Sequence, residues 1–123
     1  LEVSTVMSAD KTLREVIAID AGSGLAVEGY EIHLGQTAGS DCQRPFGYVD
    51  RQPEGACSED GRVQGSYLHG LFREDAFRRS FLARLGAPAS DLSYDKSLDD
   101  VLDRLADHLE EHLDIDALFA LAR

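Results

Sequence analysis

The sequence is poor in cysteine, in basic residues and in long apolar runs, and each shortage excludes a class of protein. Two cysteines among 123 residues are too few for the disulfide framework of a small secreted domain. Twelve Lys and Arg stand against 23 Asp and Glu, which gives a formal net charge of −11 and argues against binding to phosphate backbones. No apolar run approaches the roughly 18–20 residues of a membrane span. We therefore expect neither a nucleic-acid nor a membrane partner.

What the sequence does contain is the composition of an ordinary globular protein. Hydrophobic residues make up 43% and charged residues 28%, with no repeats or low-complexity tracts. The length corresponds to one domain or part of one. The first residue is Leu1 rather than Met, and no signal-peptide pattern follows it. We expect a cytoplasmic protein and an excerpt from a longer polypeptide.

The chain divides into two regions of different predicted secondary structure, with strands and loops over residues 1–69 and helices over residues 73–123. Alternating or continuous apolar residues predict strands at Thr12–Asp20, Leu25–Leu34, Phe46–Val49 and Arg62–Leu68. Glycine and proline predict a turn at Gly22–Gly24 and a loop at Gln52–Gly61. Helical periodicity predicts a helix over Glu74–Leu85, a second from near Ser97, and a short third one capped by Asp114. Strands followed by helices indicate the end of an α/β domain.

His69 is the first candidate for chemistry. It stands at the end of a predicted strand and is followed by Gly70 and then by a helix. This is where open α/β sheets place functional residues, and an imidazole there can serve as a general base for a thiol or hydroxyl nucleophile. The alternative is a structural histidine whose ring bonds to a loop carbonyl.

Glu31 and His33 form a second candidate site. They lie two residues apart on a predicted strand, so their side chains share one face. The pair could orient an imidazole or bind a ligand amine. The alternative is a partly exposed strand whose polar face meets water.

Two weaker patterns complete the search. His108, Glu111 and His112 match the H-x-x-E-H zinc pattern, but no third ligand at suitable spacing is visible, and we expect no metal. Cys42 and Cys57 lie in polar, loop-like contexts without a strand-to-helix elbow, with only Arg44 as a basic neighbour of Cys42. We interpret them as ordinary thiols.

Two long segments resemble a known family. They are Gly29-Tyr-Glu-Ile-His-Leu-Gly-Gln-Thr37 and Asp60-Gly-Arg-Val-Gln-Gly-Ser-Tyr-Leu-His-Gly-Leu-Phe72. Both are similar to segments of the cobyric acid synthase family. The likeness is to the C-terminal half of its glutamine amidotransferase domain, and it covers essentially the whole chain. The opening Leu1–Val16 resembles the stretch after the nucleophile elbow. The implied fold is α/β: the C-terminal half of a class I, flavodoxin-like amidotransferase domain, with strands first and two or three helices after them.

The resemblance implies a reaction and its participants. The family amidates corrin side-chain carboxylates of adenosylcobyrinic acid a,c-diamide with nitrogen from glutamine, and a separate synthetase domain uses ATP and Mg²⁺. No cofactor is then expected on residues 1–123 themselves. His69 matches the family's catalytic histidine, while Glu31, His33 and Tyr67 are candidates for substrate binding or orientation.

Two departures from the wider family matter. The nucleophilic cysteine lies upstream of the matched region, and neither Cys42 nor Cys57 matches it. Related triad enzymes carry a glutamate where this sequence has Leu71, which agrees with a Cys-His dyad, with Glu31 as a possible orienting group. The chain alone is therefore expected to be inactive and, with core surface uncovered, to self-associate. The alternatives are a sibling cobyrinic acid a,c-diamide synthase and a truncated, non-catalytic assembly module.

Overall fold

The structure, a computed structural model, describes residues 1–88 and 91–122, without the side chain at position 10. The chain forms two compact units, Leu1–Ser90 and Asp91–Arg123. Among the described helices, none has the length and apolar character to cross a membrane.

The described residues of the first unit form seven strands, two short 3₁₀ helices and one α-helix. The strands are β1 (Ser4–Asp20), β2 (Ala26–Ala38), β3 (Gly47–Val49), β4 (Gln52–Glu54), β5 (Ala56–Cys57), β6 (Gln64–Gly65) and β7 (Leu68–His69). The 3₁₀ helices are Ser40–Gln43 and Leu71–Arg73, and the α-helix is α1 (Asp75–Arg84).

A long hairpin dominates the main sheet. β1 and β2 pair in antiparallel register, with an irregularity between Met7 and Thr12. The Asp20 carboxylate holds their turn, accepting hydrogen bonds from the N–H and hydroxyl of Ser23 at 2.8 and 2.5 Å. The sheet order is β4-β3-β1-β2-β7, every pair is antiparallel, and β5 and β6 form a separate two-stranded sheet.

The main sheet has one packed face and one exposed face, because side chains alternate along each strand. The packed face contributes to a buried cluster of Ala18, Val27, Phe46, Val49, Leu68 and Phe77. Phe77 of α1 is fully buried at 0% exposure, and its ring contacts Phe46, Phe72 and Phe81. The opposite side, which we call the outer face, exposes the large side chains of Leu13, Ile17, Ile19, Tyr30, Leu34 and Tyr48.

In the second unit, residues 91–122 form two helices. These are α2 (Tyr94–His112) and α3 (Ile115–Leu121). The Asp114 carboxylate accepts the N–H of Ala117 at 2.9 Å, which confirms its predicted role as the N-cap of the last helix. α2 begins three residues earlier than the predicted start near Ser97, after Ser93 in the N-cap position.

The structure confirms the order of strands and helices but corrects several boundaries. The predicted loop Gln52–Gly61 contains β4 and β5, and the predicted strand Arg62–Leu68 is divided between β6 and β7 in two different sheets. Strands of two or three residues are too short to show an alternating pattern in sequence. The paired strands are antiparallel, so the rule that places sites at the ends of parallel strands does not explain the position of His69.

Candidate functional site

His69 ends β7 at the edge of the main sheet. Its Cα pairs with that of Tyr30, so its side chain lies on the outer face and is exposed. The ring atom Nδ1 is 3.0 Å from the carbonyl oxygen of Tyr67. Since a carbonyl can only accept, Nδ1 carries the hydrogen in this bond, and in the neutral ring Nε2 is then the basic nitrogen. No described side chain forms a hydrogen bond with Nε2.

Glu31 and His33 lie on the opposite, inner face of β2 and contact one another. Glu31 Oε1 is 3.2 Å from His33 Nε2, and Glu31 Oε2 accepts from Arg14 Nε at 2.7 Å. His33 Nδ1 is 2.8 Å from the carbonyl oxygen of Gly35. Both ring nitrogens of His33 therefore face acceptors, an arrangement that a doubly protonated ring satisfies fully. Hydrogen bonds to Asp50 and to Glu31 raise the pKa of the Arg14 guanidinium.

Tyr67 connects the two faces of the sheet. The chain bends at this residue, immediately before β7. Its ring stacks on the ring of His33 with centroids 4.6 Å apart, and its hydroxyl bonds to that of Thr37. Its carbonyl oxygen accepts the N–H of Ile32 at 3.3 Å and also bonds to His69 Nδ1 at 3.0 Å.

A cavity of about 480 Å³ opens on the inner side of β2. Its walls include Glu31, His33, Cys42, Glu54 and Tyr67, whereas His69 is not among the described residues that line it. The Glu54 side chain is buried, and burial raises the pKa of its carboxyl. Hydrogen bonds from the Tyr67 N–H at 2.7 Å and from the Ser66 hydroxyl at 2.9 Å oppose that shift.

The two cysteines are half-buried and free, and they lie in different surroundings. Cys42 lies in the first 3₁₀ helix, while Cys57 lies in β5 rather than in a loop. Burial, and next the nearby Asp20 charge, raise the pKa of the Cys57 thiol, which disfavours the reactive thiolate. Arg44 bonds to Asp41 and to the carbonyl oxygen of Cys57 rather than to a cysteine sulfur.

The glycine turn and the H-x-x-E-H pattern have ordinary geometry. Gly22–Gly24 is a hairpin turn without a following helix or lysine, so it does not fit a nucleotide phosphate. His108, Glu111 and His112 place their ligand atoms within 4.8 Å of one another, and all three are exposed on α2. His112 Nδ1 already bonds to the carbonyl oxygen of His108 at 2.9 Å.

The predicted site residues therefore fall into two groups. Glu31, His33 and Tyr67 come together at the cavity, whereas the His69 ring lies on the other face of the sheet. Glu31 bonds to Arg14 and His33 and does not contact His69, so the group that orients the His69 ring in this structure is the Tyr67 carbonyl. Sequence analysis missed Glu54 and Ser66, because a single polar residue in a segment without periodicity carries no signal of burial or of its hydrogen-bond partners.

Comparison with known proteins places these residues in a family. Residues 1–77, more than half of the chain, match the CobB/CobQ-like glutamine amidotransferase domain. The chain belongs to this family. Its strands and three helices agree with the expected C-terminal part of a flavodoxin-like amidotransferase domain, and His69 lies inside the matched segment.

Individual members of the amidotransferase family are similar over nearly the whole chain. A cobyric acid synthase of Rhodobacter capsulatus is 60% identical over 100% of the chain and 26% of its own length. One from Jannaschia sp. is 58% identical over 96% of the chain and 24% of its own length, and one from Brucella canis is 46% identical over 99% and 25%. The chain thus spans about a quarter of the length of these relatives. No solved structure matches it.

Proposed function

We propose that this chain is the histidine-bearing portion of the glutaminase site of a cobyric acid synthase. The observation that carries the proposal is its similarity to cobyric acid synthases at 46–60% identity along nearly all of its length. The geometry of His69 supports the same function, because one ring nitrogen is fixed by a backbone carbonyl and the other is left to exchange a proton.

The chemistry requires a thiolate, a proton carrier and a stabilised oxyanion. The thiolate attacks the amide carbon of glutamine to form a thioester, and His69 Nε2 delivers the thiol proton to the departing nitrogen, which leaves as ammonia. Water, deprotonated by the same nitrogen, then releases glutamate. Cys57 is a poor candidate for the thiolate because burial raises the pKa of its thiol. The family resemblance implies that the nucleophilic cysteine lies upstream of the matched region and corresponds to neither Cys42 nor Cys57, and we assign the nucleophile accordingly.

The remaining partners follow from the proposed reaction. Ammonia would be used to amidate corrin side-chain carboxylates on a synthetase domain that consumes ATP and Mg²⁺, in the cytoplasm. The names of the relatives favour cobyric acid synthase over the sibling cobyrinic acid a,c-diamide synthase, and an assay with each corrin substrate distinguishes the two.

The proposal is tested by replacing His69 in a full-length enzyme that carries this sequence. His69→Ala is expected to reduce glutamine-dependent amidation by about 10²–10⁴-fold, because general acid–base catalysis is lost. Amidation with supplied ammonia should continue, since it bypasses the thioester. Loss of both activities would show that His69 is structural and overturn the assignment.

The isolated chain provides the matching control. With Cys42 and Cys57 both replaced by serine, the 123-residue chain should show the same absence of glutaminase activity as the unmodified chain. Glutaminase activity in either form would contradict the assignment of the nucleophile to a cysteine elsewhere. It would also favour a self-contained hydrolase.

We also propose that the isolated chain self-associates through the outer face. Six large apolar or aromatic side chains there are each between 39% and 62% exposed. Glu15 and Glu28 share this face, opposite Tyr30 and Ile17, but exposed apolar side chains in this number are costly in water and are typical of a surface that another chain covers.

A further inference from the structure

We propose that Glu54 and Ser66 are positioning residues for His69, which set its tautomer by holding both peptide groups of Tyr67. The inference rests on the proposed function for its role in catalysis. The geometry it describes belongs to the chain itself and can be measured without any enzyme activity.

The Glu54 carboxylate is the anchor of this arrangement. It is 7% exposed and lies at the end of β4, and its two oxygens bond to consecutive residues. Oε1 accepts the N–H of Tyr67 at 2.7 Å, and Oε2 accepts the hydroxyl of Ser66 at 2.9 Å. A buried carboxylate is tolerated where it is fully hydrogen-bonded, so these donors and Glu54 hold one another in place.

Ser66 transmits the constraint to the next peptide group. Its Oγ donates to Glu54 and accepts the N–H of Leu68 at 3.0 Å. That N–H and the carbonyl of Tyr67 belong to the same planar peptide unit, so fixing one fixes the direction of the other. The carbonyl oxygen points to His69 Nδ1 at 3.0 Å and also accepts the N–H of Ile32 at 3.3 Å.

His69 depends on this support because β7 provides little of its own. The strand has two residues, and it pairs only with β2 at the sheet edge. The Tyr67 carbonyl fixes the Nδ1–H tautomer, which leaves Nε2 as the proton acceptor. If the Tyr67–Leu68 peptide turns, Nδ1 loses its hydrogen-bond acceptor and the neutral ring can carry its hydrogen on Nε2 instead. Nε2 can then no longer accept a proton from the nucleophile.

The test compares Ser66→Ala with Ser66→Thr in the 123-residue chain. Alanine removes the hydroxyl that bonds to Glu54 and Leu68, while threonine keeps it. Long-range ¹H–¹⁵N NMR at about pH 9, where an imidazole is neutral, reports which nitrogen carries the hydrogen, and a His69→Gln spectrum assigns the signal. We expect a mainly Nδ1–H ring in the unmodified chain. In Ser66→Ala the ratio of Nδ1–H to Nε2–H should fall about fivefold, as for the loss of one hydrogen bond, and threonine should restore it.

A second variant tests the same hydrogen bonds in case Ser66→Ala does not fold. Glu54→Gln keeps the size of the side chain but offers one acceptor oxygen instead of two, and it should lower the same ratio in a chain whose backbone spectrum stays dispersed. An unchanged ratio in folded Ser66→Ala and Glu54→Gln overturns the inference, as does a mainly Nε2–H ring in the unmodified chain. Failure of the His69→Ala amidation test would instead overturn the proposed function and leave the tautomer result standing.

Discussion

At the scale of single residues, the buried Glu54 carboxylate destabilises the folded chain when it is ionised, but it also holds the backbone of Tyr67 in place. Burial raises the pKa of its carboxyl above the ordinary value of 4.5, so the folded state binds this proton more tightly than the unfolded state does. The free energy of unfolding therefore falls as the pH rises from the unfolded pKa through the folded one. The cost is fully present above the folded pKa, where the carboxylate accepts its two hydrogen bonds.

Glu54→Gln isolates this contribution. As the pH rises from about 4 to 7, the free energy of unfolding of the variant should increase relative to that of the unmodified chain, because only the unmodified chain must ionise a buried carboxyl. Urea unfolding at several pH values measures the difference, and subtraction cancels the other carboxyls. As a control, Asp60→Asn should show the opposite slope, and below about pH 4 rather than above it, because hydrogen bonds from Ser58 and Arg62 lower the pKa of that exposed carboxyl from its ordinary value of 3.8. A pH-independent difference for Glu54→Gln would contradict the assignment.

Residues differ in how well sequence predicts their environment. His69 was found because a strand end and a glycine mark its position, and Glu31 and His33 because alternation places both on one face. The contact between Glu31 and His33 follows from that spacing. The Tyr67 carbonyl could not be predicted, since a backbone acceptor carries no residue-type signal, and the separation of His69 from Glu31 depends on the strand pairing.

At the scale of elements, the packing of β7 on β2 requires a glycine. A Cβ on Gly29 would lie 2.5 Å from the carbonyl oxygen of His69, a backbone atom that cannot move without the strand. Gly29 is paired with Val16 and lies on the inner face of β2. The backbone of Gly29 therefore approaches the backbone of His69 where β7 joins the sheet.

Gly29→Ala should therefore separate β7 from β2 and destabilise the chain by about 1–3 kcal/mol, as is typical of overpacking. Gly65→Ala is the matched control, because a Cβ there meets only the flexible Leu1 side chain at 3.1 Å. Urea unfolding measures both, and the His69 signals should shift only in Gly29→Ala. Equal stability of the two variants would show that β7 is free to move.

Sequence predicted long elements better than short ones. The hairpin strands and α1 have enough residues to show periodicity, and α1 ends before Gly86, which adopts a φ of 74°. The short strands β4, β5 and β6 form because the chain turns back on itself in three dimensions, and local composition does not report such pairing.

At the scale of the whole molecule, charge and exposed apolar surface oppose one another. The net charge of −11 keeps copies apart, while the outer face favours their association. Sequence supplied the charge and, through the family resemblance, the α/β class. The residues that form the outer face could not be predicted, because they depend on the register of β1 and β2.

Self-association should therefore strengthen with salt. Light scattering is expected to show a dimer or larger species whose share grows as the salt rises from about 50 mM to about 500 mM, because screening weakens the repulsion. Ile17→Lys should shift the population to monomer, since it places a charge in the outer face. Val63→Lys adds the same charge in a loop before β6 and should have little effect. A monodisperse monomer under all conditions would contradict the proposal.

The pleat of the sheet has a consequence for inhibition. Because the His69 ring and the cavity lie on opposite faces, a small molecule filling the cavity would touch the Tyr67 ring but not the imidazole. It could change the tautomer of His69 only by shifting the Tyr67–Leu68 peptide, whose carbonyl bonds to the imidazole. Under the proposed function, such a compound would slow the glutaminase step through this peptide, and its potency would depend on the glutamine concentration only where glutamine contacts Glu31, His33 or Tyr67 in the same cavity.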